Sequence, residues 1–152
     1  MSSQETSLYE MERIRGDFAE CSKEYRLLDY LGSGAYGTVC SAMHVPSSEK
    51  LAIKKCKNVF KSRTIAKRTL REVRILRYLS HPNIIVMKGL LPTNDPAYDD
   101  LYLLFELMET DLSQIIRSPQ ELCIDHVQYF MSQLFSAVAY LHDGSVVHRD
   151  IK

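Results

Sequence analysis

Apolar positions along the chain change their spacing several times, and each change marks a change of element. In residues 1–24 polar and charged side chains dominate, and only Leu8, Met11, Ile14 and Phe18 recur at about helical spacing. That predicts a mobile extension with one short helix. Tyr25 to Leu31 is a short β-prone run, Gly37 to Val45 is its partner, and Pro46-Ser47-Ser48-Glu49-Lys50 is turn chemistry before a third strand at Leu51 to Lys54. Helical spacing returns from Arg63 to Leu79, with Ile65, Val73, Leu76 and Leu79 on one face, a basic opposite face and Ser62 as N-cap. Pro82 forbids continuing that helix, and Ile84 to Met87 and Leu101 to Phe105 read as further strands around an exposed loop containing Pro92 to Pro96, Asp99 and Asp100. After Leu107 the pattern turns helical. A short helix is expected near Asp111 to Arg117, and a longer one from Asp125, with an Asp125/Gln128 capping box. Its wide apolar face runs through Val127, Phe130, Met131, Leu134, Val138 and Leu141 until Gly144 stops it.

The expected class is therefore α+β: an antiparallel sheet with one helix over residues 25–107, then the first helices of a helical part over 108–152, preceded by a partly disordered extension at 1–24. Composition agrees with a globular chain able to bury a core, at 152 residues with 45% apolar and 25% charged. Nineteen basic and 19 acidic residues balance, so no global field argues for nucleic acid or a membrane surface. Cys21, Cys40, Cys56 and Cys123 form no C-x-x-C pair and have no His at metal-ligand spacing, which suggests free thiols and no metal site. The start Met1-Ser2-Ser3-Gln4-Glu5 lacks the features of a signal peptide or a myristoylation site, and no stretch is apolar for long enough to span a bilayer. Cytoplasm or nucleus is the expected location.

Candidate chemistry gathers at Leu31-Gly32-Ser33-Gly34-Ala35-Tyr36-Gly37-Thr38-Val39. Glycines in the pattern GxGxxG let a backbone turn tightly and bring its N–H groups against phosphate oxygens. Alone, the pattern is equally compatible with a simple turn. Gly37 opens no helix, against a dinucleotide fold, and no Lys-Ser or Lys-Thr follows it, against a P-loop. Strand, glycine turn, strand remains, with the loop lying over a nucleotide. Lys54, on the strand after that hairpin, could reach phosphates beneath it, although a surface Lys alone is ordinary. Glu72 on the following helix is by itself only a good helix former. As a pair they make an oriented phosphate clamp, which suits phosphoryl transfer. His148-Arg149-Asp150-Ile151-Lys152 reads as a polar loop, or as an Asp base beside a phosphate-neutralising Lys.

Taken together and in order, these motifs resemble the eukaryotic protein kinases from about Tyr25 to Lys152: the glycine loop completed by Val39, Ala52-Ile53-Lys54, the Glu72 helix, His81-Pro82-Asn83-Ile84 and His148-Arg149-Asp150. Within that family, Arg68-Thr69-Leu70-Arg71-Glu72 and Glu106-Leu107-Met108-Glu109-Thr110-Asp111-Leu112 resemble the mitogen-activated protein kinase group, with the cyclin-dependent kinases as nearest rival. The resemblance implies a kinase-like N-terminal lobe and an incomplete helical lobe, ATP as cofactor, and a protein Ser/Thr kinase activity in intracellular signalling. It implies that Leu31, Val39 and Ala52 sandwich adenine and that the backbone of Glu106 and Met108 bonds its edge. Gly32, Ser33, Gly34, Ala35, Tyr36 and Gly37 would cover the phosphates, and Phe105 would act as gatekeeper. Lys54, oriented by Glu72, would hold the α- and β-phosphates, Asp150 would be the base and Lys152 would contact the γ-phosphate. Arg68, Arg71 and Arg149 would receive a phosphate added to the activation segment. Ile115, Leu122, His126 and Tyr129 would line a docking groove for linear peptide motifs. Protein substrates and upstream activating kinases are the implied partners.

The sequence stops at Lys152, inside the catalytic loop of that pattern. The Asn and the Asp-Phe-Gly segment that would hold Mg²⁺ lie beyond it, so the ion expected for the full-length kinase finds no protein ligands here, and the isolated chain is expected to be inactive. The long helix would also leave apolar side chains uncovered. A non-catalytic truncated isoform that acts as a docking or ATP-binding module is the alternative.

Overall fold

The computed structural model describes residues 3–34, 37–91 and 99–151, the side chains of residues 3–8 and 22 excepted. The chain divides into two compact units, Met1–Tyr78 with Val86–Leu107, and Leu79–Ile85 with Met108–Lys152.

The first unit is built on a five-stranded antiparallel sheet of β1 (Tyr25–Gly34), β2 (Gly37–His44), β3 (Glu49–Cys56), β4 (Met87–Leu91) and β5 (Leu101–Glu106). Their spatial order is β1-β2-β3-β5-β4, so the chain leaves β3, passes through helix α2 (Arg63–Tyr78) and returns at the far edge. Side chains alternate between two covered faces, as a strand's period of two requires. Cys40, Ala42, Leu51, Ile53, Tyr102 and Leu104 join one core cluster, whereas Ala52, Cys56, Leu103 and Phe105 join the other, with Val39 packed against it. Burial on both sides explains why Leu101 to Phe105 is apolar without interruption.

Helix α2 covers the second face through Ala66, Val73 and Leu76. Ile65, expected on that buried stripe, is instead exposed at the helix start. Ser62 is extended, and its carbonyl accepts the Ala66 N–H at 2.9 Å, which begins the helix. The first face is closed by α1 (Ser3–Asp17) and a short 3₁₀ turn at Ala19–Lys23. Here the structure departs from the expected mobile extension. The helix is 15 residues long, and Ile14 and Phe18 are fully buried, with Cys21 beside them. A sheet face carrying Tyr102, Leu104, Ile53 and Cys40 needs an apolar cover, and these side chains supply it at about 1.5–3 kcal/mol each for the larger ones.

Three other expectations shift. Ile84 to Val86 are not strand; β4 begins at Met87. After Pro82, His81 accepts the Ile84 N–H on its carbonyl (3.1 Å) and the Asn83 N–H on Nδ1 (3.1 Å), which keeps this stretch in a turn. Glu49 and Lys50 belong to β3, opposite His44 and Met43, so the preceding turn is tighter, with Ser48 at φ 57°. Asp99 and Asp100 are half-buried and tied down: the Asp99 carbonyl accepts the Val59 N–H at 2.6 Å, and Asp100 pairs with Lys55 at 3.0 Å. The expected loop at Pro92 to Pro96 lies outside the described residues.

The second unit contains α3 (Leu112–Arg117) and α4 (Ile124–Asp143). Asp111 caps α3 by accepting the Gln114 N–H at 2.8 Å. The cap of α4 is Cys123 rather than Asp125: the Cys123 N–H donates to His126 Nδ1 at 3.3 Å, two residues earlier than the expected box. The helix ends at Asp143, where the Gly144 N–H returns to Tyr140 O, but the left-handed residue is Ser145, φ 58°. His81 stacks on Tyr140 with ring centres 5.0 Å apart, and the Ser80 N–H donates to the Tyr140 hydroxyl at 3.0 Å. These contacts fix the 79–85 turn on α4.

Candidate functional site

Strands β1 and β2 meet in the glycine hairpin, paired through Gly34 and Gly37 at its tip; Ala35 and Tyr36 lie outside the described residues. Gly37 has φ 138°, and a Cβ there would run into the backbone carbonyl oxygen of Lys55 on β3. Only glycine fits, on both counts. The next residue, Thr38, is buried and donates its hydroxyl to Asp17 Oδ2 at 3.1 Å, so the return strand of the hairpin is tied to the end of α1.

Lys54 sits on β3 between Val39 on β2 and Leu103 on β5. Its Nζ donates to Glu72 Oε1 of α2 at 2.5 Å, with the Lys side chain 21% and the Glu side chain 38% exposed. A charge-assisted bond of that length orients a partly buried ammonium without removing it from solvent. The pair opens onto a cleft of about 640 Å³ that is also walled by Ser33, Gly34, Gly37 and Arg68. The sequence-derived residues on the phosphate side are thus brought together. Val39, Ala52 and Phe105 lie together in the cluster beneath α2, with Phe105 opposite Ala52 across β3 and β5. Gly32 lies beside them in register with Val39, whereas Leu31 is half exposed at 49%. Glu106 exchanges two bonds with Val86: its N–H donates to the Val86 carbonyl at 3.1 Å, and its Oε1 accepts the Val86 N–H at 2.7 Å.

The remaining candidates belong to the second unit. Met108 is exposed. Asp150 follows Arg149, which has φ 65°, and the Asp150 N–H donates to His148 Nδ1 at 3.2 Å. Val147, just before His148, is 64% exposed. Lys152 lies outside the described residues. Ile115 and Leu122 are half-buried, and Tyr129 is exposed. His126 spends its Nδ1 on the α4 cap.

Electrostatics around the cleft include residues the motifs do not single out. Asp17 accepts Lys57 Nζ at 2.7 and 2.9 Å as well as Thr38. Burial pushes the Asp17 carboxyl up, but the bonds from Lys57 and Thr38, with the Lys57 and Lys55 charges, outweigh it and hold the group below its ordinary value. Lys57 and Arg13 also line the cleft. No local pattern marks them, because their partners are remote in sequence. Burial pushes the Cys21 and Cys40 thiols up to about 12, which makes them poor nucleophiles. Among the described residues no three His, Cys, Asp or Glu side chains cluster to hold a metal ion, and no helix is long and apolar enough to cross a membrane.

Comparison with known proteins places this geometry. The protein kinase domain model matches residues 25–152. Mitogen-activated protein kinase 3 of Oryza sativa subsp. japonica is 48% identical over 134 residues, and mitogen-activated protein kinase 7 of Arabidopsis thaliana is 46% identical over 134. Each of these alignments covers 88% of this chain and 36% of the relative. Mitogen-activated protein kinase 6 of Oryza sativa subsp. japonica is 44% identical over 146 residues, 95% of this chain and 39% of the relative. The chain thus spans little more than a third of the length of these relatives. The chain belongs to the protein kinase domain family, in its mitogen-activated protein kinase group.

Proposed function

We propose that this chain supplies the ATP-binding lobe and the start of the catalytic lobe of a MAP-kinase-like enzyme that transfers the ATP γ-phosphate to Ser or Thr of protein substrates. The observation that carries this is the 2.5 Å Lys54–Glu72 pair on the wall of the glycine-hairpin cleft. Glu72 holds the Lys54 ammonium in place, and a fixed cation under backbone N–H groups stabilises phosphate charge without reorganising. Gly34 and Gly37 let the hairpin backbone approach the phosphates, and Arg68 adds positive charge to the same cleft. In this reading adenine packs against Leu31, Val39 and Ala52, the backbone of Glu106 and Met108 bonds its edge and Phe105 is the gatekeeper, as the kinase resemblance implies. Mg²⁺ bound with ATP would neutralise charge on the phosphates; among the described residues no three His, Cys, Asp or Glu side chains cluster to hold it.

In the same reading Asp150 accepts the substrate hydroxyl proton, Lys152 contacts the γ-phosphate, and Arg68, Arg71 and Arg149 receive an activation-segment phosphate. Peptides from upstream kinases or substrates dock at Ile115, Leu122, His126 and Tyr129, in cytoplasm or nucleus. In this reading the 152-residue polypeptide assayed by itself binds nucleotide without transferring phosphate.

The test is calorimetric titration of the full chain with ATP. Wild type saturates, and Lys54→Met weakens binding at least about tenfold, the worth of a charge-assisted contact. Unchanged affinity in Lys54→Met, with the melting curve intact, would overturn the assignment.

A further inference from the structure

We propose that Arg13, on helix α1 and outside the kinase-domain match at 25–152, is a further phosphate-binding residue of the glycine-hairpin cleft. The proposal rests on the ATP reading above and extends it to a segment the family match does not include.

Arg13 and Asp17 stand one turn apart on the same helix face, where an i, i+4 pair would ordinarily form an ion pair. Here Asp17 is already engaged. Its two oxygens accept Lys57 at 2.7 and 2.9 Å and Thr38 at 3.1 Å, and no carboxylate lies within ion-pair distance of Arg13 among the described residues. The Arg13 guanidinium instead lies over the ring of Tyr30, 5.5 Å from its centre. Tyr30 is on β1, directly before Leu31 and the hairpin glycines. Stacking fixes the plane of a guanidinium but leaves its charge and its edge N–H donors unspent, and that fork matches phosphate oxygens.

The same cleft receives Lys54, Lys57 and Arg68 against Glu72 alone. Lys54 is paired with Glu72 and Lys57 with Asp17. Arg13 and Arg68, one on either side of the hairpin's neighbourhood in sequence, keep their charge, so the cleft carries a surplus suited to a polyphosphate. The buried side chains of Ile14 and Phe18 flank Arg13 and Asp17 and hold this turn of α1 on the sheet. The cation is thereby pre-positioned.

The full chain is titrated with ATP and with adenosine, for wild type, Arg13→Ala, Arg13→Lys and Arg15→Ala. Arg15 is an exposed cation on the same helix that does not line the cleft, so it controls for net charge. Arg13→Ala is expected to weaken ATP about three- to tenfold, as for a partly exposed charge-assisted contact, while leaving adenosine and the melting temperature unchanged. Arg13→Lys should recover part of the loss and Arg15→Ala should match wild type. If wild type binds neither ligand, the ATP reading falls and this one with it. If wild type binds ATP and Arg13→Ala binds it equally well, loses adenosine equally, or loses no more than Arg15→Ala, the role of Arg13 alone is overturned.

Discussion

Two of the chain's short ion pairs, Lys54–Glu72 and Asp17–Lys57, differ in how they could be found. Lys54 and Glu72 lie on consecutive elements of a recognisable order, strand then helix, so their meeting could be read from element spacing before any coordinates. Asp17 is one of 19 acidic residues, and its partner Lys57 is 40 positions away. Nothing local distinguishes it. Its effect is nevertheless measurable through pH. The folded-state carboxyl lies below its ordinary value, so its contribution is fully present above the unfolded value of about 3.9 and is lost as pH falls through the lower folded value. Asp100 shifts the same way: burial raises it, and the Asn58 N–H and Lys55 more than offset that. We predict that the melting temperature of the chain falls steeply from about pH 4 downward. Asp17→Asn should lower it at pH 7 and flatten that fall; an unaltered slope would remove Asp17 from the account.

Among elements, α1 was legible only in part: a short helix was expected there, but not its 15-residue length or its burial against the sheet. Leu8, Met11, Ile14 and Phe18 have the right spacing, but a short apolar stripe in a polar segment cannot announce whether a sheet face awaits it. The strands were more legible because alternation and two-sided burial leave a direct mark, as at Leu101 to Phe105. Ile84 to Val86 misled for a physical reason: β-branched residues favour strand, yet two backbone N–H groups satisfied by His81 hold the turn. The cap of α4 misled because cysteine is an uncommon N-cap, and His126 reaching back to it is not a recognised sequence signature. If α1 is an integral cover, Phe18→Ala should cost about 3–5 kcal/mol in urea unfolding of the full chain, as for other fully buried aromatics. A loss within about 0.5 kcal/mol, typical of a surface position, would contradict its place in the core.

At the scale of the whole molecule, a sheet unit carrying the phosphate-side residues and a helical unit carrying Asp150 match one kinase domain over residues 25–152. The α+β class and the kinase family were both readable because several weak motifs occur in one order, which no single motif could establish. Roles at the individual positions are what the resemblance implies, and the central one proposed is that nucleotide sits under the glycine hairpin. Photolabelling of the full chain with 8-azido-ATP, followed by mass mapping of the labelled peptides, tests this most directly. The label should fall on peptides from Leu31 to Val39 or from Leu101 to Met108 and should disappear when unlabelled ATP competes. Label confined to other peptides, or undiminished by ATP, would contradict it.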